Sequence, residues 1–220
     1  NFMKLLLSSN GLSNQSIAKA LFELTGKPAS ETVVVFIPTA MNVARGTKDW
    51  FINDLYNINK QGFKFIDIVD ISALPQEVWL PKIENGDILF FSGGNTYHLM
   101  YWLKKSGLFE LLPELLKTRV YAGISAGSMV TNPSLAYSGD AKKKYYEDQF
   151  GYKSEEALNL VDFYIYPHFN SPKHLEFSEE SLKKAAQESK KNVYGLDDES
   201  ALKVVDGAVT IITEGECLKL

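Results

Sequence analysis

The chain has 220 residues, 45% of them hydrophobic and 23% charged, a balance that suits one large α/β domain and argues against disorder, collagen or coiled coil. Its 23 Lys and Arg against 27 Asp and Glu leave a net charge of −4, so it has no general attraction for nucleic acid or an anionic membrane. The only arginines are Arg45 and Arg119, which restricts where a bidentate guanidinium clamp could stand.

Asn1 and Phe2 ahead of Met3 are read as a cloning leftover and set aside. Lys4 is followed by Leu5-Leu6-Leu7 and then Ser8-Ser9-Asn10, too short an apolar run for a secretion signal, and no later run reaches membrane-spanning length. A cytoplasmic protein is expected. Apolar or β-branched strands are predicted at Lys4–Leu7, Thr32–Ile37, Lys64–Ile68, Asp87–Phe91, Val120–Ile124, Phe163–Tyr166 and Val193–Leu196. Between them lie amphipathic helices such as Asn14–Leu24, with Ile17, Leu21 and Leu24 on one face, and Thr47–Lys60, with Trp50, Phe51, Leu55 and Ile58. Continuous apolar strands separated by helices imply a mostly parallel sheet covered on both faces. After Leu196 the pattern changes to Ala201–Val205, Asp206-Gly207 and Ala208–Thr213, a hairpin signal read as an antiparallel flap at the C-terminus. With no repeat or Pro/Gly/Ser linker, residues 1–220 read as a single domain. Cys217, the lone cysteine, is read as a buried small apolar residue.

Three turns carry the chemistry. Gly123-Ile124-Ser125-Ala126-Gly127 follows a strand and can start a helix, the setting in which G-x-S-x-G pushes a serine hydroxyl out at the sheet's C-terminal edge. The bland alternative is a helix-capping serine. Ser92-Gly93-Gly94-Asn95-Thr96 follows the strand Asp87–Phe91, and its glycines can expose a backbone donor, most naturally Gly94, beside the N–H of Ala126 as an oxyanion hole. Pro167-His168-Phe169-Asn170 ends another strand, so His168 emerges where open α/β sheets place their ligands. His98 reads as a packed intrahelical residue and His174 as a solvated loop residue. Acidic partners for His168 are Asp140, Glu147, Asp148, Asp162 and the pair Asp197-Asp198, and spacing does not choose among them. No metal-ligand spacing is present.

Ser-Gly-Gly-Asn-Thr at 92–96, Gly-Ile-Ser-Ala-Gly-Ser at 123–128 and Pro-His-Phe at 167–169, in this order on a chain this short, resemble the peptidase E family of serine peptidases, which includes aspartyl dipeptidases and, more distantly, cyanophycinases. The resemblance runs through Gly195-Leu196-Asp197-Asp198-Glu199-Ser200-Ala201-Leu202. It implies a class I glutamine-amidotransferase-like, flavodoxin-like three-layer α/β/α sandwich, with serine where the amidotransferases keep a cysteine. It further implies Ser125 as nucleophile, His168 as base and Asp140 as the third triad member, with Glu147 as the alternative that the cyanophycinase branch suggests. The expected enzyme hydrolyses short peptides through an acyl-enzyme, needs no cofactor or metal, and exists as a monomer or homodimer. An imidazole base titrates near pH 6.5, so activity at neutral or mildly alkaline pH is expected.

The aspartyl dipeptidases place an arginine downstream of the catalytic histidine, whereas this chain has none after Arg119. Lys173, Lys183 and Lys184 are left to supply a point charge without the planar fork. Two other classes share some of these features. An α/β-hydrolase esterase has the same elbow but takes its acid from a later strand, and a non-catalytic member of the same fold would bind a small ligand in the crevice. The aromatic and charged stretch around Lys142–Lys144, Tyr145, Tyr146, Phe150 and Tyr152 reads equally well as a lid, a subunit contact or a solvated helix.

Overall fold

Alternation along the strands sets up two buried faces. In β1 (Lys4–Ser8), Leu5 and Leu7 join one apolar cluster and Leu6 the other, and β2 (Val33–Ile37) and β4 (Ile88–Phe91) divide in the same way, because successive side chains of a strand point to opposite sides. The structure, a computed structural model, describes residues 3–220, so Asn1 and Phe2 lie outside the described residues. With β3 (Phe65–Ile68) and β5 (Val120–Ile124), these strands pair in parallel, and β8 (Ser200–Val205) and β9 (Ala208–Thr213) extend the sheet antiparallel in the order β3-β2-β4-β5-β1-β8-β9.

One face is covered by α1 (Gln15–Thr25), through Ile17, Leu21 and Leu24, and by Ile58 of α2 (Asp49–Asn59). Asn14 caps α1 by accepting from the Ile17 N–H, and Gly26 ends it in the left-handed conformation. The other face carries α3 (Gln76–Glu84), α4 (Thr96–Ser106) and α5 (Leu108–Leu115), which bury Trp79, Ile83, Leu99, Leu103 and Leu112. The result is the expected three-layer sandwich around a mostly parallel sheet. The short α6 (Ala126–Met129) follows β5, and α7 (Asp140–Phe150) comes next. A second, smaller sheet of β6 (Tyr164–Tyr166), β7 (Val193–Leu196) and β10 (Cys217–Lys219), in the order β10-β7-β6, packs on Leu182 and Ala185 of α8 (Glu179–Ser189).

Four sequence expectations are corrected. The strands near 163–166 and 193–196 do not continue the main sheet, because β8 occupies the position beside β1, from Lys4↔Val205 to Ser8↔Ala201. For the same reason the hairpin is no flap but the edge of that sheet. β3 is exposed rather than buried, with Phe65 53% and Ile68 52% accessible, since an edge strand has a neighbour on one side only. Cys217 is half-buried opposite Leu196, and burial, with Asp197 adding to it, pushes its thiol up to about 11.

Candidate active site

The elbow after β5 is a backbone arrangement that only small residues permit. A Cβ on Gly123 would stand 2.5 Å from the Gly127 carbonyl oxygen, and one on Gly127 would stand 2.2 Å from the carbonyl oxygen of Phe91. Both are impossible contacts, so the two glycines are fixed by the close approach of the turn to itself and to β4. Ser125 between them has φ 48 and ψ −103, a conformation that L residues avoid and that the surrounding packing must enforce. The Ser125 carbonyl accepts from the N–H groups of Ser128 and Met129. Ala126 opens the helix, where an N–H has no intrahelical acceptor.

The glycine turn after β4 lies beside it. Gly94 has φ 137, and a Cβ there would be 2.1 Å from the Ala40 carbonyl oxygen, so this position too admits only glycine. Asn95 then caps α4, its side chain accepting from the His98 N–H. Gly93 and Gly94 line the same cavity as Ser125.

The third turn brings the imidazole to the serine. The His168 Nε2 lies 3.0 Å from the Ser125 Oγ, and its Nδ1 lies 2.6 Å from Asp198 Oδ1. His168 itself has φ 57. Ser9, just past β1, fixes both partners: its Oγ accepts from the His168 backbone N–H at 2.8 Å and donates to Asp198 Oδ1 at 3.2 Å. The parallel pairing of β6 with β7, Tyr166 opposite Gly195, and the bond from the Phe169 N–H to the Leu196 carbonyl hold the two strand ends side by side. The hydrogen bond from His168 keeps the Asp198 carboxyl below the usual carboxylate range despite its partial burial.

Asp140, the acid expected from the resemblance, is not at this position. It is exposed in the first turn of α7, whereas Ala141, Lys142 and Tyr145 of that helix line the cavity, and the Nδ1 side of the ring is occupied by Asp198. Glu147, further along α7, is also absent from the cavity wall. Asp197, the neighbour of Asp198, braces turns instead, accepting from the Ser200 hydroxyl and the Glu199 and Glu216 N–H groups. His98 is packed as expected: its Nδ1 meets the Tyr146 hydroxyl at 2.9 Å, and burial pushes it down to about 4. His174 is half-buried rather than a freely solvated loop residue. Its ring stacks on that of His168 with centroids 4.4 Å apart and lines the cavity, and burial, followed by the neighbouring His168, lowers its pKa.

The cavity above Ser125 measures about 560 Å³, within the size range of small-molecule sites. Its walls hold charged groups that the motifs did not reveal. Arg45 lies over the Tyr145 ring at 4.1 Å from the centroid, and Lys142 donates to the Gly94 carbonyl at 3.4 Å. Burial lowers the Lys142 pKa, opposed by the nearby Glu176. Lys173 also lines the cavity, whereas Lys183 and Lys184 are paired with Glu179 and Glu188 on α8. Asp54 of α2 is on the wall as well. It lies between Trp50 and Ile58 at helical spacing, and an acid on an apolar stripe was a readable sign that this face meets more than the core. Among the described residues, no three His, Cys, Asp or Glu side chains gather as a metal would need, and no helix is long and apolar enough to cross a membrane.

The sequence model of peptidase family S51 matches residues 5–212. An uncharacterized peptidase of Pasteurella multocida is 32% identical over 142 residues, which are 63% of this chain and 65% of that protein. Peptidase E of Streptomyces coelicolor is 30% identical over 183 residues, covering 80% of this chain and 73% of that one. A candidate peptidase E protein from Listeria monocytogenes EGD-e, known as a crystal structure, shares the fold with a TM-score of 0.80 at 24% identity, covering 98% of this chain and 100% of its own. With the family match running from β1 into β9, the chain belongs to peptidase family S51 and is by membership a peptidase.

Proposed function

We propose that this peptidase is a serine hydrolase of short peptides in which Ser125 is the nucleophile, His168 the general base and Asp198 the group that orients the imidazole. The observation that carries this reading is the hydrogen-bonded run from Ser125 Oγ through His168 to Asp198 Oδ1, at 3.0 and 2.6 Å. Asp198 accepts from Nδ1–H, leaving the Nε2 lone pair to take the serine proton as Oγ attacks the scissile carbonyl. The N–H groups of Gly94 and Ala126 face the developing oxyanion. The imidazolium then protonates the leaving amine, and water attacks the acyl-enzyme with the same base.

Arg45, Lys142 and Lys173 on the cavity wall favour substrates that carry a carboxylate, which speaks for peptides over neutral esters. Arg45 comes from upstream of the nucleophile and supplies the planar fork that no downstream residue offers, so dipeptides with an N-terminal Asp fit the proposed range. The test is labelling by a fluorophosphonate probe together with a dipeptide hydrolysis screen. Ser125→Ala is expected to abolish both while leaving the fold intact; hydrolysis unchanged in that variant overturns the proposal.

A further inference from the structure

Asp54 is the charged group at the site that the mechanism leaves unused. It is 2% exposed, yet it borders the cavity that holds Ser125. Its Oδ1 is buried without a hydrogen-bond partner, a state that costs free energy until a donor arrives. Gly11 and Ile124 stand close to it: a Cβ built on Gly11 would lie 3.4 Å from that oxygen and 3.2 Å from Ile124 Cδ1, and Gly11 has φ 66. With glycine at position 11, this turn sends no side chain against the Asp54 carboxyl or against Ile124, the residue that immediately precedes Ser125. Burial first, and the charge of Asp198 second, push the Asp54 carboxyl up to about 7, and a cation arriving beside it would draw it back toward the ionised form.

We propose that Asp54 holds the free α-amino group of the substrate's first residue, so that the site accepts peptides by their amino terminus. This rests on the peptidase reading above and adds to it the residue that anchors the amino terminus. The α-carbon is one bond from the carbonyl carbon that Ser125 attacks, so the α-ammonium is the cation that stands nearest the elbow. A lysine or arginine side chain would carry its charge several bonds further away, and the cavity it would enter already holds the cations of Arg45, Lys142 and Lys173. An ammonium is also compact, and one carboxylate oxygen without a partner matches one of its donors.

The test uses aminoacyl 7-amino-4-methylcoumarin amides covering the twenty side chains, each with a free and with an acetylated α-amine. The wild-type protein is expected to prefer the free amine by at least 100-fold in kcat/KM. Asp54→Asn is expected to raise KM for the preferred amide at least tenfold, with a much smaller change in kcat, and to erase most of the preference. Asp54→Leu should act in the same direction, and circular dichroism of both variants separates this from unfolding. Equal hydrolysis of acetylated and free amides, or a preference that survives Asp54→Asn in a folded protein, overturns the inference while leaving the peptidase reading in place. Failure of the wild-type protein to hydrolyse any amide and to react with a fluorophosphonate overturns both.

Discussion

The turn that carries Ser125 and the rest of the wall of its cavity are built on different rules. At the elbow every backbone atom is constrained by its immediate neighbours, so that a methyl group on Gly127 would stand 2.2 Å from a carbonyl oxygen. The wall draws its groups from distant elements: Arg45 from the loop before α2, Asp54 from within that helix, Lys142 from α7, and His174 from beyond β6. In the proposed reading, chemistry is thus placed by short motifs that tolerate almost no substitution, and recognition by side chains whose only common feature is where the fold delivers them. Substitutions at the elbow should accordingly be all or none, and those on the wall should be graded.

The largest effect is expected for Ser125→Ala, with loss of fluorophosphonate labelling and of peptide hydrolysis by at least about 10³-fold. Gly127→Ala should follow, as a loss of the folded state rather than of chemistry, seen as a melting temperature lowered by many degrees or as insoluble protein. On the wall, Lys142→Met and Arg45→Gln should each raise KM for acidic or zwitterionic dipeptides about tenfold, roughly 1.4 kcal/mol, with kcat little changed. An elbow variant that merely shifts KM, or a wall variant that abolishes labelling, would break the distinction.

The most specific effect is on stability. A carboxyl with its folded-state pKa raised from 3.8 to about 7 binds its proton more tightly folded than unfolded. Its contribution is therefore full below pH 3.8 and is lost as pH rises through 7. At 1.36 kcal/mol per pKa unit, the loss is up to about 4 kcal/mol. Asp54→Asn should accordingly melt higher than the wild-type protein at pH 8 and lose that advantage at pH 4, which thermal unfolding across this range will measure. A residue that destabilises the empty protein and serves its substrate is the trade that functional sites commonly make.

The same division explains what could be read in advance. That Ser125, Gly94 and His168 come to one cavity was legible because a turn at a strand end is a local signal, and β1, β2, β4 and β5 were legible because strands buried on both faces are continuous apolar runs. Asp198 was visible as an acid after a strand, but choosing it over Asp140 required knowing that β6 and β7 lie side by side in a second sheet, a long-range pairing with no local signature. The hairpin was readable as a hairpin, while its docking on β1 was not, for the same reason. Arg45 stands well ahead of Ser125 in sequence and lines the same cavity, so the chain downstream of His168 gives no sign of it.

The central claim is that Asp198, and not Asp140, orients the His168 imidazole against Ser125. The rate of fluorophosphonate labelling of Ser125, measured in Asp198→Asn and Asp140→Asn, tests it without requiring a known substrate. The arrangement predicts a fall of about 10²–10⁴-fold for Asp198→Asn, since an asparagine favours the wrong imidazole tautomer, and a rate within twofold of wild type for Asp140→Asn. A slow Asp140→Asn beside a fast Asp198→Asn would contradict it.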